Sequence, residues 1–428
     1  MNDSREKTFL VLDIGTSDIK CGCVDADGNI VARGRRQFPM TQEQDAFEID
    51  FDSFLDTTGE LLQECLSQPV VKRSGIRALL ITSQAQTFVP VDADFQPLRR
   101  GIVWLDERAG EEAAFLQQRL PDFSAAAGFA RPLPALYASK LLWLKRREPE
   151  LFQKARAFPL INEFLACKLT GEFYSDSTGF GMSGVYDFRR NDFNAEILKI
   201  LGLTKDFFPR VERAAARGAW ISERVQRQWK LKQRFPVFLC GNDQGASACG
   251  AGLRQPGDLN INFGTAMVLY TVTGSLTTNL GEEQIAGKHP IGDSYFLLTF
   301  ESDFGMQIRR LKERFFRQQS YDQLFQTFLQ HPDVDAQTPP ATDADPALFS
   351  TQQVHRLCAG VIKHYLTRLQ AHFARIRRTA PVKNITLSGG MTQSNVWLDI
   401  LRDVLKQPFT VNNRADAGLF GAIVIYLQ

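Results

Sequence analysis

The first residues that could do chemistry form a short polar turn near the start of the chain. The segment Asp13-Ile-Gly-Thr-Ser-Asp-Ile-Lys20 follows a run of β-forming residues. A glycine turn between two strands exposes successive backbone N–H groups, and such groups suit phosphate oxygens. Gly15 lets the backbone approach closely. Thr16 and Ser17 add hydroxyl donors, and Lys20 can neutralise charge. An ordinary hairpin turn with a surface aspartate is the alternative interpretation.

Two aspartates could share the work of a phosphoryl transfer. Asp13 ends the first apolar run, where it is suited to hold Mg²⁺ through water, because that ion retains several waters. Asp243 lies in Cys240-Gly-Asn-Asp-Gln-Gly-Ala-Ser, a strand end followed by a helix of small residues. Transfer to an alcohol needs one acid for the metal and one to orient the hydroxyl and accept its proton. Since the two aspartates come from different halves, we expect them to meet only in a cleft.

Two further glycine turns could complete a nucleotide site. Asn262-Phe-Gly-Thr-Ala266 follows an apolar strand and could hold a polyphosphate together with the first turn. Ile385-Thr-Leu-Ser-Gly-Gly-Met-Thr-Gln-Ser-Asn395 predicts a strand, a Gly-Gly turn and a helix start, which make a shelf for a flat ring. Each turn is weak support alone, since common strand-to-helix loops have the same composition.

The predicted elements place these motifs at strand ends. Strand-forming runs alternate with helical patterns, which predicts an α/β fold. In the first half we expect a hairpin, a helix, a strand and two more helices, at 9–34, 51–66, 76–82, 135–147 and 163–169. In the second half we expect a hairpin, a long helix and a strand, at 259–273, 354–377 and 384–387. The hairpin with its glycine turn therefore recurs, and we divide the chain into domains 1–234 and 235–428.

Composition excludes several functional classes. The chain has 428 residues, 44% of them hydrophobic, and 50 Lys and Arg against 48 Asp and Glu. This near balance gives no general electrostatic reason to bind nucleic acid or an acidic membrane surface. The polar start is unlike a secretory leader, and no run approaches the ~20 apolar residues that span a bilayer. We therefore expect a cytoplasmic protein of two or three domains.

Other familiar sites are also excluded by pattern. There is no G-x-x-x-x-G-K-[ST] and no G-x-G-x-x-G between a strand and a helix, so any phosphate binding uses another device. All five histidines lie beyond residue 288, which excludes a histidine triad or histidine metal cluster in the first half. The spacing of Cys21 and Cys23 along one strand suits neither a disulfide nor, without further ligands, zinc. We expect the seven cysteines to be reduced structural thiols.

In this order and spacing, the four motifs resemble the FGGY family of carbohydrate kinases, within the actin-like ATPase superfamily. Val103-Trp-Leu-Asp-Glu-Arg108 and Leu169-Thr-Gly171 also resemble segments of sugar kinases. The resemblance covers nearly the whole chain. It implies two ribonuclease-H-like domains that flank a deep cleft, with ATP and Mg²⁺ held largely by the second domain and the sugar between them.

The resemblance also implies roles for individual residues. Asp243 would be the general base and Asp13 the metal-linked acid. The phosphate loops would be formed by Gly15, Thr16, Ser17, Lys20, Gly264 and Thr265. The adenosine would be bordered by Gly389, Gly390 and Asn395. The sugar would contact Gln84, Ala85, Gln86, Trp104, Asp106 and Asp243.

The chain departs from the family pattern at several places. The second phosphate loop ends in Ala266, where a hydroxyl residue is usual, and Gly179 stands where many relatives carry an acid or amide. The usual G-E-R-x-P segment is missing, and an acidic, Pro-rich stretch at 331–353 stands near its place. We interpret that stretch as a surface loop or lid edge. A regulatory relative that binds nucleotide without turnover, or a chaperone- or actin-type ATPase, is the alternative to a kinase.

The substrate expectation is a small sugar or polyol. The Gln84-Ala-Gln-Thr87 and Val103–Arg108 segments look closest to ketopentose kinases of the xylulose type. Ribulose, other ketoses and polyols such as glycerol stay open. No nucleic acid and no membrane are expected as partners, and a homodimer is left open.

Overall fold

The computed structural model describes residues 8–25, 28–336, 350–414 and 416–428. Its strands are β1 (Thr8–Ile14), β2 (Asp18–Val24), β3 (Ile30–Gln37), β4 (Met40–Glu43), β5 (Ala46–Ile49), β6 (Ile76–Ser83), β7 (Gly101–Ile102), β8 (Tyr174–Asp176), β9 (Tyr186–Asp187), β10 (Asp192–Phe193), β11 (Arg210–Glu212), β12 (Gly218–Trp220), β13 (Pro236–Asn242), β14 (Asp258–Phe263), β15 (Met267–Thr273), β16 (Gln284–Lys288), β17 (Tyr295–Glu301), β18 (Asn384–Ser388) and β19 (Thr410–Val411).

The helices cover the sheets and the region between them. They are α1 (Phe51–Ser67), α2 (Pro69–Ser74), α3 (Gly110–Arg119), α4 (Phe123–Ala127), α5 (Tyr137–Arg147), α6 (Pro149–Lys154), α7 (Ile161–Thr170), α8 (Ala195–Leu201), α9 (Glu223–Gln228), α10 (Asp243–Gly250), α11 (Phe304–Phe315), α12 (Tyr321–Gln330), α13 (Thr351–Thr379), α14 (Asn395–Leu405) and α15 (Ala417–Tyr426). Three 3₁₀ turns are Phe180–Ser183, Lys205–Phe207 and Gly390–Gln393.

The first large sheet has six strands in the order β12-β13-β6-β1-β2-β3. The antiparallel hairpin of β1 and β2 continues into β3, and β6 and β13 then add in parallel to β1. α1 covers this sheet with one apolar face, and the Asp50 carboxylate caps it by accepting from the Ser53 N–H. The predicted α/β hairpin and helix of the first half are therefore confirmed.

The second large sheet repeats this plan in the order β16-β17-β15-β14-β18-β19. β14 and β15 form an antiparallel hairpin, and β18 and β19 add in parallel. The long α13 covers it and begins with a capping box between Ser350 and Gln353. The sequence predicts that the hairpin with its glycine turn recurs in the second half. In the structure, the whole sheet that contains this hairpin recurs.

The first sheet extends past residue 234, where the sequence predicts a domain boundary. β13 begins at Pro236 and pairs in parallel with β6, so the first sheet continues through Asn242. The predicted boundary follows a polar, basic stretch at 222–234, but Val225 within that stretch is buried against the first core. Because β13 is the last parallel strand of the first sheet, Asp243 belongs to that sheet's edge.

The helices α10 and α15 pack closely against each other. A Cβ at Gly421 would lie 1.7 Å from the Ala246 carbonyl oxygen, and one at Gly250 would lie 1.9 Å from the Ala417 carbonyl oxygen. Only glycine allows the two backbones this approach. The small residues after Asp243 therefore serve helix packing.

Two sequence expectations concern other parts of the chain. All seven cysteines are free thiols, and Cys21 and Cys23 are fully buried. Within the described ranges, none of the helices combines the length and apolar character that crossing a bilayer requires. The acidic stretch at 331–353 lies largely outside the described residues, which omit 337–349.

Candidate functional site

Three polar side chains meet at one edge of the first sheet. The parallel strands β1, β6 and β13 lie side by side, so their carboxyl ends share that edge. Asp13 is near the end of β1, Gln84 follows β6, and Asp243 follows β13. The sequence analysis expects the two aspartates, from different halves of the chain, to meet only in a cleft. Instead β13 pairs in parallel with β6, so Asp243 follows a strand of the same sheet as Asp13.

The two carboxylates influence each other. Oδ1 of Asp13 is buried and has no hydrogen-bond partner, and burial raises the pKa of this group to about 6. Asp243 is the first residue of α10, and its Oδ1 accepts from the Gln244 N–H at 2.8 Å. Burial, followed by the negative charge of Asp13, raises the pKa of Asp243 to about 7. The edge therefore holds an acid–base group that titrates near neutrality.

Asp13 has the properties of a ligand that needs a cation. A buried carboxylate oxygen without a donor is costly unless a positive group satisfies it. The Lys20 amine lowers the pKa of Asp13, but it lies beside Asp416, with Nζ 3.8 Å from Oδ1. Among the described residues, no group of three or more His, Cys, Asp or Glu could enclose a metal. The donor set fits Mg²⁺ held through water, which uses few protein carboxylates.

Gln84 is the clearest candidate for a ligand contact. Its side chain is 3% exposed, and neither its amide nitrogen nor its amide oxygen has a hydrogen-bond partner. The backbone holds it in place, because the Gln84 N–H donates to the Ile14 carbonyl at 2.7 Å. Buried amides are normally paired, so an orphaned one beside two carboxylates indicates a position reserved for a ligand's hydroxyl groups.

The neighbouring sugar-contact candidates have protein partners instead. The Gln86 amide donates to the Met182 carbonyl and accepts from the Tyr137 N–H. The Asp106 carboxylate is 1% exposed and accepts from the Phe47 N–H and from the Arg108 guanidinium. Their side chains shape the loops, whereas Ala85, between the two glutamines, is partly exposed. All of these segments lie at one end of the first sheet. The polar groups of Gln86 and Asp106 are bonded to the protein, whereas the Gln84 amide is unpaired.

Trp104 joins the predicted sugar segment to the first phosphate turn. Its indole N–H donates to the Thr16 hydroxyl at 3.0 Å, and its backbone N–H donates to the Thr87 hydroxyl at 3.0 Å. The turn itself is closed by the Gly15 N–H, which donates to the Asp18 carbonyl at 2.9 Å. The backbone N–H groups of Thr16 and Ser17 donate to nothing within the described residues. They are the donors available to an anion.

The second glycine turn packs against a glycine that the sequence analysis missed. The Gly264 N–H donates to the Ala266 carbonyl at 3.1 Å, and the Gly305 N–H donates to the Thr265 carbonyl at 2.8 Å. A Cβ at Gly305 would lie 2.0 Å from the Gly264 carbonyl oxygen. The turn therefore requires glycine at the start of α11, and Thr265 stays exposed at its tip.

The Gly-Gly turn borders two adjoining cavities of the second half. One, of about 540 Å³, lies between the second glycine turn, Arg309, Tyr321 and Gly390. The other, of about 740 Å³, includes Gly389, Gly390 and Asn395. Both are within the size range of small-molecule sites.

Gly389 is required by backbone geometry at this turn. Its φ is +96°, and a Cβ there would lie 2.4 Å from the Phe263 carbonyl oxygen. The Gly-Gly turn therefore packs directly on the second glycine turn, through the end of β14. That approach brings the two predicted nucleotide segments together.

Sequence reasoning overlooked several residues of this site. Arg309 faces the cavity from α11, and Asp416, with φ of +59°, precedes α15 beside Lys20. A Cβ at Gly418 would lie 3.0 Å from Oδ2 of Asp13. None of these residues belongs to a local sequence motif. The glycines at the start of α15 were nevertheless a signal that backbone or side-chain atoms of other elements approach there.

The chain also matches a family model. Residues 8–250 match the N-terminal domain of the FGGY family of carbohydrate kinases. The chain belongs to the FGGY family of carbohydrate kinases. The family assignment confirms the sequence prediction of a sugar kinase, an enzyme that transfers a phosphoryl group to an alcohol. The matched region ends at Gly250, the last residue of α10, and so includes β13.

Individual relatives and solved structures agree with this family. A probable L-xylulose kinase of Haemophilus influenzae is 23% identical, over 98% of this chain and 90% of that protein. The xylulose kinase of Bacillus subtilis is 24% identical, over 75% of this chain and 64% of that protein. A crystal structure of xylulose kinase from Rhodospirillum rubrum has a TM-score of 0.87 at 21% identity, covering 98% and 90% of the two chains. The predicted fold of two actin-like domains is thereby confirmed.

Proposed function

We propose that this FGGY kinase transfers the γ-phosphoryl group of ATP to a hydroxyl of a ketopentose of the xylulose type. The observation that carries the proposal is the edge formed by Asp13, Gln84 and Asp243, where an orphaned carboxylate, an orphaned amide and a carboxylate of pKa about 7 lie together. A metal-linked acid, a hydroxyl-binding amide and a base are the groups that transfer to an alcohol requires.

In the proposed reaction, Asp243 is the general base. The substrate hydroxyl oxygen forms a bond to the γ-phosphorus, the bond from that phosphorus to its bridging oxygen breaks, and ADP leaves. Asp243 takes the hydroxyl proton, and a pKa near 7 allows it both to accept and to release that proton near neutrality. The Gln244 N–H occupies one carboxylate oxygen and orients the other.

The nucleotide would lie across the two halves. We assign its phosphates to the first turn, with Gly15, Thr16, Ser17 and Lys20, and to the second turn, with Gly264 and Thr265. Its adenosine is assigned to the cavities bordered by Gly389, Gly390 and Asn395. The free N–H groups of Thr16 and Ser17 supply donors that need no reorganisation during the transfer.

Asp13 would hold Mg²⁺ through water, and its unpartnered Oδ1 is the atom suited to that role. When bound, the ion supplies positive charge that offsets the charge developing on the phosphate oxygens. The cation would also satisfy the carboxylate and so favour its ionised form.

The choice of a ketopentose rests on the named relatives. The Haemophilus influenzae and Bacillus subtilis proteins are named for xylulose, whereas similar proteins also include an L-fuculokinase of Salmonella typhi. Gln84, Trp104 and Ala85 are the residues proposed to contact the sugar directly. Gln86 and Asp106 would act through the loop conformations that they stabilise.

The Asp243→Asn variant tests the reaction. We expect it to fold normally and bind ATP, while kcat with D- or L-xylulose falls by about 10²–10⁴-fold, because a neutral amide cannot accept the proton. ADP release in a coupled assay over a panel of ketopentoses, ketohexoses and polyols gives the rates. ATP binding is followed in parallel by the thermal unfolding midpoint.

Glu223→Gln is a matched control, since Glu223 is also the first residue of a helix but is exposed and paired with Arg227. Its rates should equal those of the unmodified protein. Normal turnover by Asp243→Asn contradicts the assigned base. ATP binding without turnover of any panel member by the unmodified protein contradicts the proposed function.

A further inference from the structure

A fully buried lysine lies behind the proposed sugar site. Lys140, on α5, is 1% exposed, and its amine donates to the Gln86 carbonyl at 2.9 Å and to the Val103 carbonyl at 3.0 Å. Within the described ranges it forms no ion pair. Its amine lies 5.8 Å from the centre of the Phe88 ring. The contacts of this lysine are therefore two backbone oxygens and an aromatic face.

Burying an amine in this way is costly for a purely structural position. Burial lowers the pKa of Lys140 to about 7, while the nearby Asp106 opposes this effect and Arg108 adds to it. An apolar residue of similar length would fill the same volume without that cost. What only the amine supplies is a single atom that can donate to two carbonyls at once.

The two carbonyls belong to the two segments that are proposed to contact the sugar. Gln86 follows Gln84 and Ala85, and Val103 immediately precedes Trp104. One side-chain atom therefore joins segment 84–87 to segment 103–106. The distance between these segments fixes where the unpaired Gln84 amide and the Trp104 ring stand relative to each other.

Gln86 needs such support because its backbone is strained. Its φ is +66°, a left-handed conformation that a residue with a Cβ rarely adopts. The Tyr137 N–H, the Met182 carbonyl and the Lys140 amine all bond to this one residue. Tyr137 and Lys140 are both on α5, so this helix supplies two of these three hydrogen bonds to Gln86.

We propose that Lys140 is a positioning residue of the sugar site, which joins the backbone of Gln86 to that of Val103 and thereby places Gln84 and Trp104 for the sugar. This inference rests on the proposed function. It assigns Lys140 no contact with substrate, so its effect passes through the two loops. The cavities assigned to the adenosine lie in the second half of the chain, and neither loop lines them.

The Lys140→Met variant tests the proposal, because methionine fills the buried volume without the amine. We expect KM for the sugar to rise about tenfold or more, since small displacements of positioning groups have large effects, while KM for ATP changes much less. Hydrogen exchange, measured by mass spectrometry without sugar, should become faster in peptides that cover 84–88 and 102–106.

Rescue separates the amine's role from packing. We expect Lys140→Ala to regain sugar affinity when propylamine, which replaces the atoms lost beyond Cβ, is added. Lys145→Met is the matched control, because Lys145 lies on the same helix and donates to the Ile200 carbonyl at 2.8 Å. That control should leave both KM values unchanged.

Three results would overturn the inference. The first is an unchanged KM for the sugar in folded Lys140→Met, and the second is unchanged exchange in both loops. The third is a parallel loss of ATP affinity, sugar affinity and stability without rescue by propylamine, which would mean packing alone. Failure of the unmodified protein to turn over any sugar would instead contradict the proposed function, so the two failures are distinguishable.

Discussion

At the scale of single residues, polar side chains of the same type have different roles because the fold gives them different partners. Gln84 and Gln86 are two positions apart, yet one amide is unpaired and the other bonds to Met182 and Tyr137. The sequence pattern alone assigned both to the sugar. A buried polar group without a partner is the more specific sign of a ligand position, since folding normally pairs such groups.

Glu163 is another buried acid, and it leads to a pH prediction. It is fully buried on α7, accepts from the Leu160 N–H at 2.8 Å and from the Ser175 hydroxyl, and burial raises its pKa to about 8. The ordinary pKa of a glutamate is 4.5, and that of buried Glu163 is about 8. Between these two pH values the folded protein keeps a proton on Glu163 that the unfolded chain has released. This group therefore makes the folded state less stable as pH rises through that window.

We expect Glu163→Gln to remove this dependence, because the amide is neutral and keeps an acceptor for Leu160. The unfolding midpoint of the variant should exceed that of the unmodified protein by a margin that grows from pH 5 to pH 8. Exposed Glu111→Gln, which loses only a surface pair with Arg147, should show no growing margin. A constant difference for Glu163→Gln across the window would contradict the prediction.

At the scale of elements, α10 and α15 determine how Asp243, the proposed base, is placed. Asp243 is the first residue of α10, and that helix can lie against α15 only because glycines stand at their contact. The sequence showed the small residues after Asp243 but not their partner, which is more than 160 residues later in the chain. Local pattern therefore indicated close packing without identifying the two surfaces.

Gly421→Ala tests this crossing. The added Cβ would meet the Ala246 carbonyl oxygen at 1.7 Å, so the helices must separate, and we expect a loss of about 3 kcal/mol or more in the free energy of unfolding. Because α10 would move, turnover should also fall. Denaturant unfolding and ADP release measure the two effects.

The control for that substitution is Gly59→Ala, on α1. No atom lies within 4 Å of a Cβ at Gly59, so alanine should be neutral or stabilise the helix by about 1 kcal/mol. If Gly421→Ala and Gly59→Ala changed the free energy of unfolding equally, the contact between α10 and α15 would not be tightly packed.

At the scale of the whole molecule, the two halves are joined by more than their connecting chain. α15 ends the chain but packs on the first sheet, where Leu419, Ala422, Ile423 and Ile425 lie with Phe9, Val11 and Leu80 in one buried cluster. The last helix, α15, therefore completes the hydrophobic core of the first half of the chain. The domain division at residue 234 stays a sequence prediction, and this packing links the halves on either side of it.

Removing residues 417–428 should therefore destabilise the first half. Burial of Leu419, Ile423 and Ile425 contributes about 4.5–9 kcal/mol at ~1.5–3 kcal/mol each, which is comparable with the entire stability of a typical protein. We expect the truncated chain to lose its cooperative thermal transition and to be digested within 8–242 by protease. Removing only 427–428, where Leu427 is 56% exposed, should leave both properties unchanged.

The sequence by itself determined the α/β class, the repeated hairpin, the glycine turns and the two aspartates, because each follows from local patterns that need no knowledge of distant residues. The motif order also identified the family. Only the tertiary structure decided which strands share a sheet, and so brought Asp243 to the same edge as Asp13 rather than to an opposing lobe. It also decided which polar groups are unpaired, since Gln86, Asp106 and Lys140 each bond to a residue that is remote in the sequence.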